Sequence, residues 1–167
     1  LLGLAVLAAL VAGVGPRRSP ATSFAVGLRT LELIDPSRSI RLPNGAVKSR
    51  PILTYVRYPA VGAPGETDRP NAPAARGDGP FPLVIFGHGF AVTPGLYARL
   101  LRSWVRAGYV VAASLFPLEN ANAPAGPDES DLANQPADLR FAIARVLAAS
   151  AAASGPLAGP IDPHKIA

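Results

Sequence analysis

Cysteine is absent from all 167 residues, which excludes disulfides, thiolate metal sites, a cysteine nucleophile and a lipid-modified cysteine. Methionine is absent as well, even at position 1, so residues upstream of Leu1 are expected. Lysine occurs only at Lys48 and Lys165, and the formal charge of +5 therefore rests on scattered arginines. These form no run longer than Arg17-Arg18, so no nucleic-acid partner is expected. Arg99, Arg102 and Arg106 recur at helical spacing, as a solvated helix face does. Two distant histidines, His88 and His164, with scattered acids give no metal-ligand spacing, and neither a metal nor a cofactor is expected. No serine has glycine two residues before it, so the G-x-S-x-G nucleophile elbow is missing from these residues.

Apolar residues make up 49% of the chain and charged residues 16%, which suits one cored domain and is too short for two. Leu1 to Gly15 carries no charge and matches the apolar centre of a signal peptide. A membrane anchor competes with it, although a spanning helix needs about 20 apolar residues. Arg17 and Arg18 favour the anchor, because a basic flank suits a cytoplasmic end. Residues 1–23 are thus a signal peptide or membrane anchor plus connector, and 24–167 the folded domain. A secreted or cell-envelope location is expected, with membrane anchoring through residues 1–15 as the alternative.

Leu28 to Ile34 alternates as a half-buried strand does, and Asp35-Pro36-Ser37 is expected to break it. Pro43-Asn44-Gly45 supplies a turn before a second β-rich run, Ile52 to Tyr58, and the two are expected to pair antiparallel at a sheet margin. Residues 59–80 are rich in proline and glycine, which predicts a surface loop; Arg76-Gly77-Asp78 within it is taken as a chance tripeptide. Leu83-Val84-Ile85-Phe86 is a continuous apolar run, as in a parallel strand covered on both faces. A helix follows, with Thr93 as N-cap, Pro94 at its first position, Leu96, Leu100, Trp104 and Val105 on one stripe, and Gly108 at its end. Tyr109 to Ala113 is the next buried strand. After a loop over Pro117 to Asp131, a helix around Ala137 to Ala151 presents Leu139, Ile143, Val146 and Leu147 inward. Lys165-Ile166-Ala167 begins another strand. This alternation specifies an α/β fold with a mainly parallel sheet and ligands at the carboxyl ends of its strands.

Gly87-His88-Gly89-Phe90 lies where a buried strand hands over to a helix, and glycines there let amide hydrogens face a cleft. Such a turn can hold the oxygen anion of a tetrahedral intermediate in acyl transfer, with the Phe90 N–H as donor. A dinucleotide site is a weak competitor, since G-x-G-x-x-G requires glycine where Val92 stands. His88 is expected to brace the turn, and His164 to lie at the wrong end of its strand for catalysis. Glu119, Asn120 and Asn122 are expected to solvate their loop.

Five segments together carry a resemblance over Phe24 to Ala167: AVGLRTLELIDPSRS, TYVRYPA, FGHGF, SWVRAGYVVAASLFPLENAN and NQPADLRFAI. The chain resembles bacterial α/β-hydrolases of the platelet-activating-factor acetylhydrolase, chlorophyllase and dienelactone-hydrolase-like group. The resemblance implies an α/β-hydrolase fold cut off after the start of the strand that leads to the nucleophile elbow. It implies a serine carboxylic-ester hydrolase, esterase- or lipase-like, acting through an acyl-enzyme on a small-molecule or lipid ester. His88, Gly89 and Phe90 would form the oxyanion loop, while the nucleophilic serine, the acid and the histidine would follow Ala167. The chain alone would then be inactive, with an apolar sheet edge prone to aggregation. A non-catalytic, membrane-tethered binding module of the same fold is the alternative.

Overall fold

In the computed structural model, residues 23–167 are described; the apolar run at 1–15 and Arg17-Arg18 lie outside the described residues. Strand β1 (Ala25–Arg41) and strand β2 (Val47–Ala60) form a long antiparallel hairpin. The turn between them closes as its residues dictate: Gly45 takes φ +83° and its N–H donates to Leu42 O at 2.9 Å. Asp35-Pro36-Ser37 does not end β1. The ladder instead slips between Asp35 and Ser39, because proline has no N–H to give and the Asp35 carboxylate takes the Ser37 N–H at 3.0 Å. Farther along β1, Gly27 is the only residue type that fits, since a Cβ there would sit 2.3 Å from the Tyr58 ring.

The six-stranded sheet runs β3-β1-β2-β5-β4-β6, where β3 is Arg69–Pro70, β4 Phe81–Gly87, β5 Val110–Leu115 and β6 Ile161–Ile166. Of the hairpin, only β1 lies near the margin; β2 is interior, antiparallel to β5, while β5, β4 and β6 run parallel. The fold is therefore α/β with a mixed sheet. Residues 59–80 are more than a loop, because they supply β3 and bury Ala75. Arg76 there donates to Ala158 O at 2.7 Å and Gly155 O at 3.0 Å, which gives the Arg-Gly-Asp arginine a structural post.

Alternation along β5 sends Val110 and Ala112 to one core and Val111 and Ala113 to another, on opposite faces of the sheet. Helix α1 (Ala98–Arg106) covers the second face through Leu101 and Val105; helix α2 (Gln135–Ala151) covers the first through Val146. Leu96 and Leu100 do not face inward, being 69% and 43% exposed. The chain enters α1 through a 3-10 turn over Pro94–Tyr97, whose wider step per residue rotates the stripe onto Tyr97, Leu101, Trp104 and Val105. Arg102 and Arg106 are not simply solvated either, since they pair with Asp68 and Glu66 of the long segment below them. The pairing of β6 begins at Ile161, earlier than Lys165, slips by a bulge, and resumes where Ala167 bonds Leu83 and Ile85.

Candidate functional site

Because β4 and β5 are parallel neighbours in register Gly87 to Ser114, the segments leaving them emerge side by side at one sheet edge. Residues 88–92 follow β4, residues 116–122 follow β5, and three hydrogen bonds tie them together. Phe116 N–H donates to His88 Nε2 at 3.2 Å, Ala91 N–H to Glu119 O at 2.9 Å, and Ala121 N–H to Val92 O at 3.4 Å.

His88 is buried, with its ring 4.7 Å from that of Phe116. Since Nε2 accepts from Phe116, the proton sits on Nδ1, which faces Gly89 O at 2.8 Å. Burial pushes the imidazole pKa below its ordinary value, against the opposing pull of the Gly89 carbonyl, so the ring is neutral near pH 7. With both nitrogens engaged, His88 braces the turn and offers no free lone pair to a base's work. Gly89 lies tight under Tyr97, where a Cβ would come within 3.3 Å of the phenol oxygen. Ala91 is held in the left-handed region at φ +58°, a conformation costly for a residue with a Cβ. The turn thus has a shape imposed from outside. Phe90 N–H meets no acceptor among the described residues, and its side chain is 43% exposed.

Glu119 and Asn120 do not solvate their loop; both are buried. Asn120 donates through Nδ2 to Phe116 O at 2.7 Å and accepts Asn122 N–H at 2.8 Å, which closes the loop on itself. Glu119 Oε2 accepts from Gln135, while Oε1 has no partner among the described residues. Desolvation pushes its carboxyl pKa up, opposed by the Gln135 bond. Asn122 alone is exposed, and with Leu115 it borders two cavities of about 220 and 280 Å³ beside this loop. Neither cavity is lined by His88, Gly89 or Phe90. His164 is exposed on the β6 bulge beside Pro82 and Leu83, at the opposite end of β4 from His88.

Sequence reasoning missed a buried charge cluster behind the β5 loop. Arg50 is 1% exposed and binds Asp138 through Nε and Nη2 at 2.7 Å each, and Asp131 through Nη1 at 2.9 Å and Nη2 at 2.6 Å. Arg38 adds contacts to Asp138 at 2.8 Å and Asp35 at 2.7 Å. The cluster pins α2 and its leading turn to the hairpin. Its signal in the sequence was Asp138, an acid set among the apolar residues that α2 buries. Among the described residues no group of acids and histidines is arranged to hold a metal ion, and no helix is long and apolar enough to cross a membrane.

The turn leaves the Phe90 amide hydrogen without an acceptor among the described residues, just past the carboxyl end of β4. No protein-family model matches the sequence, and no curated protein does. A solved structure of a ferulic acid esterase from Streptomyces cinnamoneus is similar in fold, with a TM-score of 0.62 at 20% identity over 89% of this chain. The chain spans 52% of that structure, about half its length. The likeness is one of architecture, an α/β fold.

Proposed function

We propose that this chain is the N-terminal part of a serine carboxylic-ester hydrolase of the platelet-activating-factor acetylhydrolase, chlorophyllase and dienelactone-hydrolase-like group. The observation that carries the proposal is the Phe90 N–H, without an acceptor among the described residues, on a turn braced by His88 and the 116–121 segment. A donor fixed in place before charge develops needs no reorganisation in the transition state. The esterase neighbour supports the reading through its fold. In this scheme a serine beyond Ala167 attacks the ester carbonyl, and Phe90 N–H with a second amide beyond Ala167 binds the resulting oxyanion. The substrate is a small-molecule or lipid ester, and residues 1–15 direct export or anchor the protein to a membrane.

The test uses a protein containing this chain and the residues that follow Ala167. It is expected to hydrolyse p-nitrophenyl acetate and to take up one equivalent of a fluorophosphonate probe at serine. Phe90→Pro, which deletes the donor, is expected to lower kcat by about 10²-fold or more, whereas Phe90→Ala, which keeps it, retains most of the rate. A folded protein with neither hydrolysis nor labelling would support a non-catalytic module instead. A Phe90→Pro loss under about tenfold would remove Phe90 from the role.

A further inference from the structure

Helix α1 turns one side to the core and leaves another side without a partner among the described residues. Leu101, Val105 and, in part, Trp104 pack on the sheet, whereas Leu96 and Leu100, 69% and 43% exposed, join neither core cluster. With Ser103 and Ala107, both exposed, they recur at steps of four, three and four, which sets them along one side of the helix. The turn leading into the helix adds Phe90, also 43% exposed. A solvated helix face ordinarily carries charge of both signs, but no acid occurs from Phe90 to Ala107. Arg99, Arg102 and Arg106 run beside the leucines; the latter two pair with Asp68 and Glu66 of another segment, and Arg99 is exposed next to Leu100.

Charge and chain path together name what covers this side. An apolar stripe edged by arginine and empty of acid matches a helix lying in the headgroup boundary of an anionic bilayer, with its leucines among the acyl chains and its guanidinium groups at the phosphates. The path of the chain brings such a surface to the same helix. Phe24 N–H donates to Arg106 O at 3.2 Å, so the chain enters the domain at the C-terminal end of α1. Gly15 stands nine positions before Phe24, so the uncharged run of residues 1–15 joins the domain within about 30 Å of that helix end, with Arg17 and Arg18 between. We infer that α1 lies along an anionic lipid surface, with Leu96 and Leu100 in the apolar boundary and Arg99 at the lipid phosphates. The contact requires no acyl chemistry, and a protein without esterase activity would make it equally.

The absence of cysteine makes a site-specific test direct. A nitrobenzoxadiazole dye is attached in the full chain to Ser103→Cys, on the proposed contact, and in a second sample to Arg140→Cys, exposed on α2 across the sheet. With vesicles of equal parts phosphatidylglycerol and phosphatidylcholine, the dye at position 103 is expected to shift to the blue and saturate, and the dye at position 140 to stay unchanged. Vesicles of phosphatidylcholine alone are expected to bind at least about tenfold more weakly, the scale for two or three arginines near an anionic surface. Leu96→Asp with Leu100→Asp is expected to weaken binding at least about tenfold, with folding checked by circular dichroism. Should that double variant fail to fold, the comparison of the two dye positions decides. The inference is overturned by absence of binding, by vesicle binding that leaves the dye at position 103 unmoved, as attachment through residues 1–15 alone would, or by equal shifts at both positions. Equal affinity for the two vesicle types, a folded Leu96→Asp, Leu100→Asp variant that binds as tightly as the parent, or a concentration-dependent shift without vesicles, which marks a second copy as the occupant, would overturn it as well.

Discussion

Two arginines seven residues apart on β2 point to opposite faces of the sheet and meet opposite fates. Arg50 faces α2, where Asp131 and Asp138 take hydrogen bonds from all three of its nitrogens. Arg57 faces α1, where one carboxylate oxygen takes two nitrogens and the third is left over. A guanidinium saturated by protein groups is a staple. One with a nitrogen left over is held less completely. The same residue type on one strand is thus saturated in one place and left with a donor over in the other, and counting partners is what separates them.

The comparison can be broken most directly through stability. Arg50→Met leaves Asp131 and Asp138 buried without their main partner, and chemical denaturation is expected to register a loss of about 3–5 kcal/mol. Arg57→Met is expected to cost less in the same assay, because Asp68 keeps Arg102 within 3.6 Å. Equal losses for the two variants would erase the distinction.

Smaller effects are expected as slopes against pH. Hydrogen bonds from Ser37, and secondarily from Arg38, hold the Asp35 carboxyl down at about 2, against the cost of its burial. Its depressed value gives stability that is present above the ordinary Asp range and lost as pH falls toward about 2. Asp35→Asn is therefore expected to be less stable than the parent at pH 7 and to converge with it near pH 2, followed by thermal melts across that window. Glu119 has the opposite sign. Its raised value gives a contribution present below the ordinary Glu range and lost as pH rises through the raised value. Glu119→Gln is expected to gain on the parent as pH increases; a Tm difference constant with pH would remove Glu119 as a titrating group in the fold.

Much of the scaffold was legible from residues alone. The apolar run at Leu83 to Phe86, that at Tyr109 to Ala113 apart from the exposed Tyr109, the Gly45 turn and the C-terminal bound of α2 are local statements, set by burial, backbone freedom and helix termini. The bracing of the turn at Phe90 was less so. Its amide sits where the glycines of 87–90 foretold a bend, but the bonds that hold it come from Phe116, Glu119 and Ala121, about thirty residues downstream. Glu119 and Asn120 looked like loop solvent-facers because polarity reports preference and not position; Glu119 is buried where Gln135 of α2 reaches its carboxylate, and Asn120 where its amide bonds Phe116 O.

Sequence by itself determined that strands and helices alternate, that a glycine-flanked histidine ends an apolar strand, and that no nucleophile elbow lies within these 167 residues. Tertiary structure alone decided which charges are staples, since the acids that meet Arg50 lie 81 and 88 residues away. The same holds for Arg57, whose spare donor exists only because the segment carrying Asp68 folds against α1 with one carboxylate for two arginines. Local chemistry sets what a side chain can bind, and chain topology sets what stands within about 3 Å of it.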